Sequence, residues 1–550
     1  MNLTYPIEAR GLKRFNEIVG ILARYGLSDF VTADSPEFLK EKFIGPDGED
    51  LSTLTVEARV RMAITELGTT FIKFGQMMST RADMVGPELA EELSSLQAHV
   101  PPDPPEVARQ LLEAELGCPV ENVFAYFEEE PISSASIGQV HLARLRDGSE
   151  VVVKIQHAGI EEKVREDLKI IANLAELAES QSAELRRFQP RALARDFERI
   201  LLREMDFTCE LRNMETIIEN FANNPYLHLP KPYPSISTER VLTMERLHGF
   251  SVADRERVKK ENIDTRELAI QGANIFLDMI FRDGVYHADP HPGNIFVLYD
   301  GRIGLLDCGK VERIDEKTQE EFEDVANAFV SKDTTLLTDE LLRVSSEPPG
   351  LDRDALRADI GRFVSSELGK DVEQFDMKAM IYGCLSIVRT HRLILPPRVN
   401  MLFMVLVQLE GTSRVFDTSF NLSKILRDYQ HQHIQRKYSP QRIWKRVHRS
   451  YRDWDHLIVN LPRDLTGILQ RLHSGTLNIK LELSGLDRPL NRLVYGIIVA
   501  ALFMGSSNLW ANDVAPHLFG VSLIGAFGSV LSLVLGLILI RRIFTSGGLD

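Results

Sequence analysis

His287-Ala288-Asp289-Pro290-His291-Pro292-Gly293-Asn294 sets a carboxylate, Asp289, and an amide, Asn294, five residues apart in a run rich in turn formers. An apolar helical pattern, Thr265 to Arg282, leads into it. A second carboxylate, Asp307, follows the first by eighteen residues, in Gly304-Leu305-Leu306-Asp307-Cys308-Gly309. Ile303 to Leu306 reads as a short strand that delivers it. Carboxylate, amide and carboxylate at these intervals are what a kinase-type site uses to hold Mg²⁺ and a nucleoside triphosphate. Asp289 can take or orient the acceptor's proton. Asn294 and Asp307 are hard oxygen ligands for the metal.

Such a site needs a cation for the α- and β-phosphates, and upstream residues offer one. Pro131 to His141 is a small, polar loop: Pro131-Ile132-Ser133-Ser134-Ala135-Ser136-Ile137-Gly138-Gln139-Val140-His141. Val151-Val152-Val153-Lys154-Ile155 is an apolar strand with a lysine inside it, and Asp147-Gly148 reads as the hairpin turn between the two. A lone lysine in such a strand is more often an edge or snorkelling residue. The carboxylates downstream favour the site. Ser133, Ser134, Ala135, Ser136, Ile137, Gly138 and Val140 would then roof the nucleotide. A helical carboxylate must aim the lysine; Glu210 is the first choice and Glu204 the second, with Asp206 between them. Val241 to Gly249 reads as a buried strand and a polar link, so Met244, Glu245 and Leu247 fall where backbone groups would meet adenine.

The pattern also departs from a protein kinase. Ala288 stands where many such enzymes carry an arginine, so a phosphorylated activation loop has no partner there. No Ala-Pro-Glu follows Asp307-Cys308-Gly309. Ser133, Ser134 and Ala135 stand where glycines, which permit close backbone approach to phosphate, would be expected. Cys308 replaces a phenylalanine and reads as a small apolar residue.

At 550 residues the chain is too long for a single core. Its net charge of −15 argues against a nucleic-acid partner. Cys118, Cys209, Cys308 and Cys384 form no Cys-x-x-Cys pair and read as reduced cytosolic thiols. Met1 to Gly20 carries no secretory-signal pattern. Lys13 to Leu27 is amphipathic, and two readings stand: a helix lying on a membrane, or one packed on the protein body. Val56 to about Gln97 is helical, with Gly68 and Gly75 inside it and Lys73 and Gln76 on one face. Pro101-Pro102-Asp103-Pro104-Pro105 ends it.

The C-terminal part is different in kind. Arg436 to Arg452 holds seven Lys/Arg and no Asp/Glu, which leaves the remainder near −22. Its position before apolar spans favours anionic lipid headgroups. Leu493 to Ile540 has no Lys or Arg in 48 residues. Leu493 to Trp510 gives about 27 Å of helix, and Leu518 to Ile540 more, enough for two crossings. Arg488 and Arg492 before the pair, and Arg541 and Arg542 after it, put both flanks in the cytoplasm.

These features together resemble the UbiB (AarF) family of atypical kinase-like proteins of ubiquinone and prenylquinone synthesis. Lys73-Phe74-Gly75-Gln76 looks like its Lys-x-Gly-Gln motif. Ser133 to His141 looks like its alanine-rich loop, with two alanines as serine. Glu204-Met205-Asp206 looks like its Glu-x-Asp motif, and Glu210 falls at its lysine-pairing glutamate. The resemblance implies an α+β, atypical bilobal protein-kinase-like fold with an N-terminal helical extension and a C-terminal transmembrane helical hairpin. The expected parts are an amphipathic segment (1–52), the extension (53–125), an N-lobe (126–247), a C-lobe (248–420), a basic linker (421–487) and the hairpin with its tail (488–550). It implies that Lys73 and Gln76 reach the Glu204/Asp206 region or the nucleotide pocket. It further implies ATP and Mg²⁺ as cofactors, with ATP hydrolysis or small-molecule phosphorylation rather than protein phosphorylation. Anionic membrane lipids, prenylquinone precursors, other quinone-biosynthesis enzymes and a second copy of the chain are the expected partners. The expected location is a bacterial inner membrane, with the kinase-like domain and both termini cytoplasmic. A non-catalytic nucleotide-binding scaffold and a true protein kinase are the competing functions.

Overall fold

The computed structural model describes residues 9–27, 51, 54–96, 100–181, 186, 188–261, 264–331, 333–348, 350–368, 377–416, 420–437, 487–512, 514–518 and 521–545. The chain divides into two compact units, Met1–Arg436 and Lys437–Asp550.

The first unit begins with α1 (Ala9–Arg24). Ile18, Ile21 and Tyr25 are buried, and Arg14 reaches Asp167 at 2.8 Å and the Leu67 carbonyl at 2.6 Å. This helix therefore packs on the protein body. The single helix expected from Val56 to Gln97 is broken. Gly68, at φ +92°, ends α2 (Val56–Leu67) and begins α3 (Thr69–Ser79). Short helices α4 (Ala82–Val85) and α5 (Pro87–Ser94) follow. After the prolines come α6 (Pro105–Leu116) and α7 (Val120–Val123).

The upper sheet is antiparallel, in the order β1 (Phe124–Phe127), β3 (Gly138–Leu145), β4 (Glu150–Gln156), β6 (Val241–Glu245), with β2 (Ser133–Ser134) against β3. Strand alternation explains its two faces. Val151, Val153 and Ile155 are fully buried in a cluster with Leu112, Phe124 and Val241. Val152 and Lys154 face the other way and are only half-buried. In that register Lys154 lies between Val140 on β3 and Leu242 on β6.

Helices α8 (Ile160–Gln181), α9 (Pro190–Met205) and α10 (Phe207–Asn220) come between β4 and β6. One helix was expected from Ala192 to Ile218. It is split at Asp206, whose carboxylate caps α10 through the Thr208 N–H at 2.9 Å. This is an ordinary N-cap.

A lower four-stranded sheet runs β5 (Leu227–His228), β10 (Ile303–Leu305), β9 (Ile295–Leu298), β7 (Gly249–Ser251). Helices α11 (Arg255–Lys260) and α12 (Thr265–Asp278) follow β7, and α12 widens into a π-turn at Met279–Asp283. Gly284, at φ +64°, then turns the chain; a Cβ there would sit 3.0 Å from the Ile314 carbonyl oxygen. The chain enters β8 (Val285–His287), which pairs with β11 (Val311–Arg313). Helices α13 (Glu316–Ser331), α14 (Thr334–Val344), α15 (Arg353–Leu368), α16 (Met377–Thr390) and α17 (Pro397–Phe416) complete the lower core. Helix α18 (Leu422–Lys437) docks on it with Leu422, Leu426 and Tyr429 buried. The start of the expected linker therefore belongs to this unit. All four cysteines are unpaired.

In the second unit α19 (Asp487–Ala511) packs along α20 (Leu523–Thr545). A Cβ on Gly525 would lie 2.7 Å from the Trp510 backbone nitrogen, so glycine permits the close approach. Val494–Ala511 is long and apolar enough to cross a membrane, with mean hydropathy 1.5. The second helix starts at Leu523, not Leu518, because His517–Leu518 and Val521–Ser522 form a small hairpin; its apolar described stretch is Leu523–Ile538. Met504 and Phe527 are 68% and 70% exposed among many exposed apolar neighbours. Residues 438–486, with most of the basic run, lie outside the described residues.

Candidate active site

Strand alternation aims Lys154 away from the α6 side of its sheet, toward α10 and the lower lobe. Its Nζ lies 2.8 Å from Glu210 Oε2 and 3.4 Å from Asp307 Oδ1. Glu210 is buried, and its other oxygen, Oε1, has no partner among the described residues. The first-choice glutamate is thus the one at the strand lysine.

Glu204, six residues earlier but on α9, is ion-paired to Lys73 of α3. Both side chains are mostly buried. Gln76 does not join them. Its amide nitrogen donates to the Leu96 carbonyl at 2.9 Å, and Gly75 packs beside Leu96 and Ile64. Helix α3 turns Lys73 toward the site, packs Phe74 on Phe197 of α9, and uses Gly75 and Gln76 to hold the extension together. Asp206 is likewise spent on capping.

The loops around Asp289 and Asp307 are tied to each other. His287 is fully buried. Its Nδ1 accepts from the Asp289 N–H at 3.1 Å, so Nε2 carries the proton and donates to the Leu306 carbonyl at 3.3 Å. The Leu306 N–H donates to the Asn294 carbonyl at 2.8 Å. The Asn294 amide nitrogen donates to the Asp289 carbonyl at 3.2 Å, which points its oxygen the other way. Asp307 sits at φ +52°, a conformation aspartate tolerates better than most residues. Asn213 steadies the following peptide by donating to the Cys308 carbonyl at 3.0 Å. His287 and Asn213 lacked any spacing signal of their own in the sequence. So did Lys310, whose Nζ lies 3.2 Å from Asp289 Oδ2.

Charge balance follows from this geometry. Burial opposes a charged Lys154, but Asp307 and Glu210 outweigh it and hold its ammonium well above the ordinary lysine range. Lys154 in turn, helped by Lys73 and Lys310, holds Asp307 well below the usual carboxylate range although its side chain is 56% exposed. Burial raises Glu210, with Lys154 opposing and Asp307 reinforcing. For Lys310, burial is outweighed by Asp289 and Glu204. Three lysines and four carboxylates therefore share one field.

The small-residue loop is less open than expected. The Ser134 hydroxyl donates to the Val100 carbonyl at 2.6 Å. His157 bridges the Ala135 carbonyl, at 3.1 Å, and Asp103, at 3.2 Å. Ser136 and Ile137 are buried, whereas Ser133 and Ala135 are exposed. A Cβ at Gly138 would run into the Ile155 carbonyl, so its glycine answers to strand pairing. At the end of β6, Met244 is buried and the Glu245 side chain is engaged by His228 and the Lys231 N–H. Among the described residues the Leu247 N–H has no hydrogen-bond partner.

The described residues hold no cluster of three His, Cys, Asp or Glu side chains suited to a metal. Asp307 and the Asn294 amide oxygen are hard oxygen atoms that could hold Mg²⁺ were substrate phosphates to complete its shell.

Residues 95–341 match the ABC1 atypical kinase-like domain, and residues 478–545 match the ABC1/UbiB kinase-like C-terminal domain. A Pseudomonas aeruginosa protein named "Probable protein kinase UbiB" is 32% identical over 425 residues, 76% of this chain and 80% of its own length. A Pseudomonas putida protein of the same name is 31% identical over 489 residues, 88% of this chain and 89% of its own. A solved structure of Rv3197 with erythromycin, from Mycobacterium tuberculosis, is 26% identical, with a TM-score of 0.40, over 56% of this chain and 77% of that one. With this two-lobed fold and these matches along most of its length, the chain belongs to the ABC1/UbiB family of atypical kinase-like proteins.

Proposed function

We propose that the protein is a membrane-anchored, Mg²⁺-dependent ATPase or small-molecule kinase that supports prenylquinone synthesis. The observation that carries the reading is the Lys154–Glu210 pair, joined to Asp307 at 3.4 Å and set among Asp289, Asn294 and Lys310. Bound Mg²⁺ would neutralise phosphate charge, with Asp307 and Asn294 as its protein ligands. Lys154, aimed by Glu210, neutralises the α- and β-phosphates. Asp289 takes or orients the acceptor's proton. The free Leu247 N–H is a donor for the adenine edge.

The pairing of Lys73 with Glu204 beside this cluster supports a small acceptor or water over a polypeptide. The exposed apolar faces of α19 and α20 support a bilayer as their surroundings, because such surface is unfavourable in water. Anionic lipids, prenylquinone precursors, a bacterial inner membrane and cytoplasmic placement of the site belong to the same reading. The test is genetic and chemical together. A deletion strain should lose quinone and regain it with the wild-type chain but not with Asp307→Asn, and purified wild type should release labelled phosphate from γ-labelled ATP. Full rescue by Asp307→Asn would favour the scaffold instead. Transfer of label to a purified polypeptide would favour the protein kinase.

A further inference from the structure

We infer that Lys310 contacts the substrate, taking the γ-phosphate of the bound nucleotide beside Asp289. This rests on the nucleotide reading above. Among the described residues Lys310 is the cation paired with Asp289, at 3.2 Å. Lys73 is engaged by Glu204, and Lys154 by Glu210 and Asp307. The residue two after Asp289 is His291, whose Nδ1 is taken by the Gly293 N–H. No cation comes from the Asp289 loop itself.

The backbone explains why Lys310 arrives there. Val311 pairs with His287 in the β8–β11 ladder, and the Ala288 N–H donates to the Lys310 carbonyl at 2.8 Å. That register sets Lys310 opposite Ala288. Cross-strand neighbours have Cβ atoms about 4.5–5.5 Å apart. A methyl group at 288 leaves room for the lysine stem, and an arginine there would bring like charge against it. The missing arginine before Asp289 and the lysine after Asp307-Cys308-Gly309 are two sides of one arrangement. The pair is also reachable, since the Lys310 and Asp289 side chains keep 36% and 26% exposure.

The chemistry needs a cation at this place. Asp289 accepts the proton of the acceptor hydroxyl or water as that oxygen bonds to phosphorus and the bond to the leaving diphosphate breaks. Charge on the transferred group needs fixed positive partners. Lys310 offers one on the Asp289 side, opposite in role to Lys154 on the leaving diphosphate.

Binding separates this role from simple support of Asp289. Full-length protein in detergent with Mg²⁺ is titrated with ATP and with ADP, both displacing a fluorescent nucleotide. Lys310→Met should weaken ATP by about tenfold, the range of one charged contact, and leave ADP within about twofold. Lys310→Arg should keep most of the ATP affinity. An unchanged melting temperature should accompany both. Equal loss for ATP and ADP, or no loss for either, overturns the inference while the nucleotide reading survives. Wild type that binds neither nucleotide overturns both.

Discussion

Glu204 and Glu210 stand six residues apart and serve different lysines, Lys73 on α3 and Lys154 on β4. Six positions on a continuous helix already point about 120° apart, and the break at Asp206 further sets the two glutamates on separate helices. The Lys73–Glu204 pair thereby joins the extension to the site. A double-mutant cycle with Lys73→Met and Glu204→Gln should give a coupling of about 1–3 kcal/mol, as for contacting groups in one network. Thermal melts of the four proteins measure it. A coupling near zero would mean that the two side chains do not hold α3 in place.

The Lys154 cluster predicts a pH signature. Asp307 lies below its ordinary range, so its contribution is full above about pH 4, where an unfolded aspartate ionises, and is lost as pH falls toward the folded value. Glu210 lies above its ordinary range, so its effect runs the other way and favours the folded state as pH falls. In Lys154→Met the buried Glu210 loses its cation. That variant should be destabilised by about 3–5 kcal/mol at pH 8. The deficit should shrink as the pH is lowered and the buried carboxyl takes up a proton, and melting curves across a falling pH series would show it. A deficit independent of pH would point to lost packing instead.

The kinase-like fold was legible because its chemistry is local. Five- and eighteen-residue spacings, a strand lysine and a turn each leave a mark in one short stretch. The helix breaks at Gly68 and Asp206 were not legible, since a glycine or an aspartate inside a helical pattern reads equally as a packing or surface residue. Spacing alone therefore left Glu204 and Glu210 competing for one role, while the family resemblance had Lys73 reach the Glu204/Asp206 region, where the structure pairs it with Glu204. Lys310 was invisible for another reason: its place depends on strand register, which hydrophobic pattern does not define for three-residue strands. The N-terminal amphipathic helix was ambiguous because a packed face and a membrane face look alike in sequence. Gln76 and Gly138 carried motif signals, yet Gln76 bonds Leu96 and Gly138 fits under Ile155.

Two glycines should respond unequally to a methyl group. At Gly138 the new Cβ overlaps the Ile155 carbonyl, with its carbon at 3.0 Å, and backbone in a sheet cannot step aside. At Gly75 it meets the tip of Leu96, which can rotate, and Ile64 at 3.2 Å. Gly138→Ala should cost about 2–3 kcal/mol and Gly75→Ala about 1 kcal/mol. Leu96→Ala should reduce the cost of the second and leave the first unchanged. Equal costs in thermal melts would undo this account of the two sites.

Arg14 should matter to the whole first unit although it is far from the site in sequence. Its guanidinium meets Asp167, whose side chain is 1% exposed, and also holds the carbonyl of Leu67 at the end of α2. One side chain thus ties α1, α2 and α8 together just before α3 begins. Removing a cation from a buried carboxylate costs more than the pair contributes, because the remaining charge keeps its desolvation penalty. Arg14→Met should therefore cost about 3–5 kcal/mol. Asp167→Asn added to it should restore a good part, since a neutral amide needs no counter-charge. Limited proteolysis should cut Arg14→Met between α1 and α2 before wild type, and the double variant should resist again. If Arg14→Met melts and cleaves like wild type, α1 is held by its apolar face of Ile18, Ile21 and Tyr25 alone.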